Sequence, residues 1–141
     1  MSGYLLDTNV VSELRKSRRT NPHVLAWFQS LDKDDLFLSV LALGEIRSGI
    51  ERIRSSDPAQ ARALDHWLKG LEETYADRVL PVTPAIADKW GRLSAITPMS
   101  VVDCLMAATA LENNLTLATR NVQDVARTGV KVLNPFTPAS T

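Results

Sequence analysis

The sequence predicts an α/β domain: a mostly parallel central sheet covered by helices on both faces, in three α/β/α layers. Short apolar runs alternate along the chain with stretches whose apolar residues recur at helical spacing. Most of those helical stretches open on a capping residue, three of them followed at once by proline. The 141 residues hold enough chain for one hydrophobic core, with no repeat, low-complexity tract or internal linker. Residues 1–141 are therefore expected to form one domain.

In order, Tyr4-Leu5-Leu6 is a short buried strand, and Asp7-Thr8-Asn9 turns it into a helix. Asn21-Pro22 starts a helix over 22–31 with Val24, Trp27, Phe28 and Leu31 at helical spacing. Residues 36–40 form the second strand, followed by a helix with Leu43, Ile46, Ile50 and Ile53 on one face. Asp57-Pro58 opens a helix over 58–76, and its stripe is Leu64, Trp67, Leu68, Leu71 and Tyr75. Residues 78–82 are the third strand, and Thr83-Pro84 starts a helix carrying Ile86, Trp90 and Leu93. Ser100 opens the next, with Val102, Leu105, Met106 and Ala110 inward. Strands over 115–119 and 130–133 follow, and the tail from about Asn134, with Pro135 and Pro138, is expected to be irregular.

Composition excludes several classes. The chain is 45% hydrophobic and 23% charged, and no apolar run reaches the roughly 18 residues a membrane helix needs. No basic and apolar leader precedes the first strand, and the one cysteine, Cys104, leaves no intrachain disulfide. These features fit a cytoplasmic protein without a membrane partner. Sixteen basic residues balance sixteen acidic ones, so nucleic acid cannot be held by bulk charge. A local patch is required, and Arg15, Lys16, Arg18 and Arg19 supply a candidate that also reads as a solvated helix end. His23 and His66 have no metal-ligand spacing.

The chemistry resides in four acidic stations: Asp7, Glu45, Asp103, and the pair Asn121 and Asp124. Asp7 ends the first strand, Glu45 lies in the helix leaving the second, and Asn121 and Asp124 follow the 115–119 strand. Ligands of open parallel sheets bind outside the carboxyl ends of the strands. Three stations thus share one edge for topological reasons, and Asp103 must join them from the start of its helix. Each also has a structural reading. Asp7 suits an Asx turn, Ser100 and Asp103 have capping-box spacing, Glu45 suits a helix start, and Asp124 suits a turn. Gathered together, the carboxylates would repel one another unless a divalent cation lay between them, and oxygen ligands suit Mg²⁺ or Mn²⁺.

Rival chemistries lack their motifs. The chain has no G-x-x-x-x-G-K-[ST] loop, no G-x-G-x-x-G and no G-x-S-x-G elbow. Cys104 follows Asp103 on one helix, about 100° away, and is expected to pack inward. Trp27, Trp67 and Trp90 fall on helical apolar stripes and read as core or interface.

Leu5-Leu6-Asp7-Thr8-Asn9 with Val10-Val11-Ser12-Glu13, the Glu45 helix, Val102-Asp103 with 106–110, and Leu117-Ala118-Thr119-Arg120-Asn121 carry a resemblance. In this order they resemble the PIN-domain ribonucleases, nearest to VapC-type toxins of toxin–antitoxin pairs and their FitB-type relatives. The resemblance implies a PIN-like α/β/α fold and an endoribonuclease dependent on Mg²⁺ or Mn²⁺. It further implies a cognate antitoxin that blocks the site, a homodimer, and contact with DNA only through the antitoxin complex. Carried over, Asp7, Glu45 and Asp103 are catalytic and hold the metal. At the fourth position Asn121 stands where some relatives have aspartate, so either Asn121 or Asp124 completes the catalytic set. Thr8, Asn9 and Thr119 support the carboxylates, and Arg120 with the 15–19 cluster positions RNA. Two alternatives keep the same edge: a weakly catalytic or non-catalytic FitB-like module in a DNA-binding complex, and a metal-dependent phosphatase. The latter lacks the D-x-D pair of one such class, because Asn9 stands two residues after Asp7.

Overall fold

Five short strands, β1 (Tyr4–Leu6), β2 (Leu36–Ser39), β3 (Val79–Leu80), β4 (Thr116–Ala118) and β5 (Val132–Leu133), form one sheet in the computed structural model, which describes residues 3–138. Their order is β3-β2-β1-β4-β5, and every neighbouring pair is parallel. Tyr4 stands opposite Leu36 on one side and Thr116 on the other, and Leu6 opposite Ala118. The chain therefore adds strands outward from β1 in one direction, then returns to add β4 and β5 on the other side.

Helices connect the strands: α1 (Thr8–Leu14), α2 (Pro22–Gln29), α3 (Val40–Ile53), α4 (Pro58–Thr74), α5 (Pro84–Ile96), α6 (Val101–Glu112) and α7 (Val122–Val125). Four predicted starts are capped as their side chains allow. Asn21 accepts from the His23 and Val24 amides, Asp57 from Gln60, Thr83 from Ile86, and Ser100 from Asp103. Each such bond satisfies an amide the first turn would leave unpaired. The 22–31 and 58–76 helices stop at Gln29 and Thr74.

Four strands are shorter than expected, the second by one residue because Val40 already begins α3. The 78–82 run keeps only Val79 and Leu80 on the edge of the sheet, because Pro81 has no amide proton to continue a ladder. In the 115–119 run, the Leu115 amide turns back to the Ala110 carbonyl, while the Thr119 amide still reaches Leu133. The final strand shrinks from 130–133 to Val132–Leu133.

Strand alternation splits the core in two. Leu6, Leu36, Leu38 and Ala118 face a cluster with Val10, Val11, Ile46, Ile50 and Leu68, while Leu5 and Leu117 face Met106, Ala107 and Val125. Leu5 and Leu6 are both buried, on opposite faces, as a strand covered on both sides requires. Burying each such leucine contributes about 1.5–3 kcal/mol. Cys104 is buried as expected, whereas Val102 and Leu105 are only partly so. The α6 face that packs inward is Cys104 and 106–110. The tail over 134–138 is irregular as expected, a turn in which Phe136 packs on the first cluster and its amide donates to the Asn134 side chain at 2.9 Å. Among the described residues no helix is long and apolar enough to cross a membrane.

Candidate acidic active site

Strand order reverses direction at β1 and β4, and this switch point is where an open parallel sheet leaves a crevice beyond its carboxyl ends. Asp7 follows β1 there and Thr119 follows β4. The Asp7 amide donates to the Ala118 carbonyl at 2.9 Å, which extends the ladder by one bond and fixes the aspartate against its neighbour strand.

Asp7 is held by nearly everything around it. Its Oδ1 accepts from the Thr8 amide at 2.8 Å, as an N-cap of α1. Its Oδ2 accepts from the Thr119 hydroxyl at 2.7 Å and from the Asn9 side-chain amide at 3.4 Å. The Thr119 hydroxyl in turn accepts from the Asn121 backbone amide at 3.0 Å, and the Asn9 side-chain Oδ1 accepts from the Arg120 backbone amide at 3.2 Å. Residues 7–9 and 119–121 are thereby laced across the switch point. Burial pushes the Asp7 carboxyl above its ordinary value of 3.8. Donation from Thr119 and Thr8 draws it down, and the negative charges of Asp103 and Glu45 push it up again. Asp103 and Glu45 each lie within electrostatic reach of Asp7.

The other acids are differently placed. Glu45 is exposed on α3 and accepts a short hydrogen bond from the Thr8 hydroxyl. Asp103 is half-buried at the start of α6, and Ser100 Oγ accepts from its amide at 3.1 Å. Only that half of the capping box forms: among the described residues no hydrogen bond reaches the Asp103 carboxylate. Asp124, exposed on α7, lines one depression with Asp103. Asn121 is exposed and precedes α7 without a side-chain capping bond.

Whether these residues suit a divalent ion is a question of donors and charge. The donors are carboxylate oxygens, and a buried Asp7 facing two like charges is relieved by a cation. Among the described residues no three His, Cys, Asp or Glu side chains converge tightly enough to hold an ion unaided. Glu45 and Asp124 are both exposed, and Asp124 shares a depression with Asp103 that Asp7 does not line, so the four stations do not make a closed cage. The set fits the way Mg²⁺ is commonly held, by one or two carboxylates with waters and substrate phosphate completing the shell.

One acid escaped the sequence reading. Glu13 stood in a quoted motif without a role, yet it is buried on α1 and accepts from Lys16 Nζ at 2.9 Å and the Asn21 amide at 2.8 Å. The bond from Lys16, then that from Asn21, holds its carboxyl below the ordinary 4.5. Arg120 approaches it at 3.9 Å while stacking 3.9 Å from the Phe136 ring centroid. A glutamate between Val11 and Leu14 was the available signal, since an acid inside an apolar run is costly without partners. The basic cluster lies exposed at the carboxyl end of α1, as the solvated-helix-end reading expected. Arg15 caps α1 and lies 6.0 Å from the Trp67 ring centroid, Ser17 turns the chain at φ 55°, and Arg18 and Arg19 follow on a 3-10 turn.

The buried aspartate at the switch point, answered by acids from α3 and α6, is joined by a family match: a PIN domain model fits residues 4–130. The chain belongs to the PIN domain family. It is 32% identical to the plasmid stability protein StbB of Pseudomonas syringae pv. tomato, covering 94% of this chain and 97% of that one. It is 30% identical to the toxin FitB of Neisseria gonorrhoeae (94% and 97% covered) and 32% identical to the VapC ribonuclease Y4jK of Sinorhizobium fredii (96% and 99%). Among solved structures it resembles FitAcB from Neisseria gonorrhoeae, with a TM-score of 0.85 and 29% identity over 94% of this chain and 98% of that one. FitAB bound to an IR36 DNA fragment gives 0.86 and 27% over 97% and 98%.

Proposed function

We propose that this protein is an endoribonuclease dependent on Mg²⁺ or Mn²⁺, acting in the cytoplasm as the toxin of a toxin–antitoxin pair. The observation that carries this reading is Asp7: a buried carboxylate at the switch point, raised by burial and facing Asp103 and Glu45. Likeness to a VapC ribonuclease supports RNA as substrate over a phosphatase reading.

Asp7 and Asp103 would hold the ion, with Glu45 reaching it directly or through water. A bound divalent ion supplies acidity to a water and offsets charge on the phosphoryl oxygens. Thr119, Thr8 and Asn9 keep the Asp7 oxygens aimed, which is the work of outer partners at metal sites. Asp124 adds negative charge beside Asp103, and Asn121 steadies the 119–121 turn through its amide. Arg120 is held beside the site by Phe136 and Glu13, where it positions RNA phosphate.

A cognate antitoxin is the expected partner, and contact with DNA comes only through it. A groove of about 730 Å³ between α1, α2 and α4 fits an apolar helix face: Leu14, Leu25, Phe28, Trp67 and Leu71 line it, and Arg15 stands among them. The exposed Ile96 and Val101 support a homodimer, which light scattering at ~100 μM would report as twice 15.5 kDa. The FitB-like alternative, a module with little catalysis in a DNA-bound complex, draws on the likeness to FitAB on DNA.

The deciding experiment incubates antitoxin-free protein with total RNA, with Mg²⁺, Mn²⁺ or chelator, and maps the cut ends. Cleavage with metal that Asp7→Asn abolishes is expected. Intact RNA under all conditions would favour the FitB-like alternative, and cleavage that survives chelator would end the metal assignment.

A further inference from the structure

We propose that the depression between the start of α6 and α7 is the subsite for the nucleotide flanking the scissile phosphate. Arg127 holds that nucleotide's phosphate and Gln123 faces its base. This deepens the ribonuclease reading and rests on it.

The depression encloses about 540 Å³, within the range of about 300–1,000 Å³ usual for small-ligand sites. Asp103 and Asp124 are among its lining residues, and Asp103 also lies within electrostatic reach of Asp7, so the depression adjoins the acidic site. Pro98 and Met99 contribute an apolar surface, and Gln123 a side-chain amide. Arg127 is the one cation among its lining residues. A strand whose scissile phosphate lies between Asp7 and Asp103 can carry its neighbouring nucleotide into this space, where the acids alone would repel the next phosphate.

Arg127 differs from the other arginines that face carboxylates. Arg47, Arg54 and Arg92 spend their guanidinium groups on ion pairs with Glu51, Asp65 and Asp88. Arg127 has no ion pair or hydrogen bond among the described residues, although two aspartates line the same depression. The side chains of Gln123, Asp103 and Asp124 are equally without a protein partner there. The backbone beneath Arg127 is nevertheless pinned. It lies on a 3-10 turn between buried Val125 and Thr128, and the Thr128 hydroxyl donates to the Val125 carbonyl at 2.7 Å and accepts from the Val130 amide at 3.3 Å. A fixed base, a free cation and an apolar wall beside a gathered acid site are what a nucleotide monophosphate requires: a charge for the phosphate and a surface and donor for the base.

The test measures binding of a fluorescein-labelled 2′-O-methyl oligoribonucleotide in chelator, across salt concentrations, for the full chain and its variants. Arg127→Ala should weaken binding about tenfold and flatten the slope of log affinity on log salt by about 0.7, the value for one phosphate contact on a single strand. Arg127→Lys should keep the slope, and melting temperatures should stay equal, since the side chain is exposed. Gln123→Ala should leave the slope alone and, with Mg²⁺ or Mn²⁺ and natural RNA, redistribute the cut sites. An unchanged slope in Arg127→Ala, or absence of binding by the unaltered chain, overturns the subsite. An Arg127-dependent slope in a chain that cuts no RNA with metal would support the subsite and end the ribonuclease reading.

Discussion

The Asp7 corner and the Asp103–Asp124 wall carry the same functional group in opposite surroundings. At the corner, both carboxylate oxygens are engaged by Thr8, Thr119 and Asn9, and the residue is buried between parallel strands. Along the wall, neither Asp103 nor Asp124 has a hydrogen bond to its carboxylate among the described residues, and Asp124 is exposed. A buried charge survives only with donors to satisfy it, so the corner is rigid and expensive to alter. The wall keeps its lone pairs for water, ion or substrate. The difference teaches a division of labour: one station is fixed by the fold, and the other is left open to adapt around a bound strand.

The comparison can be broken or sharpened by four substitutions. The largest effect is expected at the corner itself: Asp7→Asn should lower RNA cleavage by about a thousandfold or more, since it removes the fixed ligand. Asp103→Asn should match it within an order of magnitude, and single-turnover cleavage assays check both. Full activity in either would undo the assignment. Next, Thr119→Val should cost about 10–100-fold in metal affinity or activity, the usual effect of losing an outer partner. Ser100→Ala, which touches Asp103 only through its backbone amide, should cost less activity, and equal losses would erase the contrast between corner and wall.

Smaller effects are expected further out. Asp124→Ala should lose more cleavage than Asn121→Ala across a Mg²⁺ titration, because only Asp124 carries charge; the reverse order would place the fourth role on Asn121. Glu13→Gln should leave chemistry nearly intact and cost about 1 kcal/mol of stability at neutral pH through weakened bonds to Lys16 and Asn21. Because the folded Glu13 titrates below its ordinary 4.5, its contribution is complete above that value and is lost as pH falls through the lower folded value. Denaturation at a series of pH values should therefore show the gap between Glu13→Gln and the unaltered chain closing in acid. A gap independent of pH would mean that Glu13 acts through packing alone.

Much of this was legible in the chain. The capped helix starts at Asn21, Asp57, Thr83 and Ser100 were readable because a short oxygen-bearing side chain beside proline or an apolar stripe satisfies orphan amides locally. The burial of Cys104 followed from its angular offset from Asp103. Strand ends were overestimated at 82 and 130, since pairing depends on the neighbouring strand and not on apolar character alone. The capping box at Ser100 was half right: the Asp103 amide donates to Ser100, while among the described residues no hydrogen bond reaches the Asp103 carboxylate.

By itself the sequence determined the fold class and the parallel order of elements, because strand and helix periods are local and a parallel sheet sends its carboxyl ends to one edge. Only the tertiary structure decided which of the acids is caged by donors and which stands open. Thr119 reaches Asp7 across 112 residues of chain, Glu13 gathers Lys16, Asn21 and Arg120, and Arg127 is left without a partner among the described residues, in the depression it shares with Asp103. Hydrogen bonds of that kind depend on ångström distances between distant segments, and no local period encodes them.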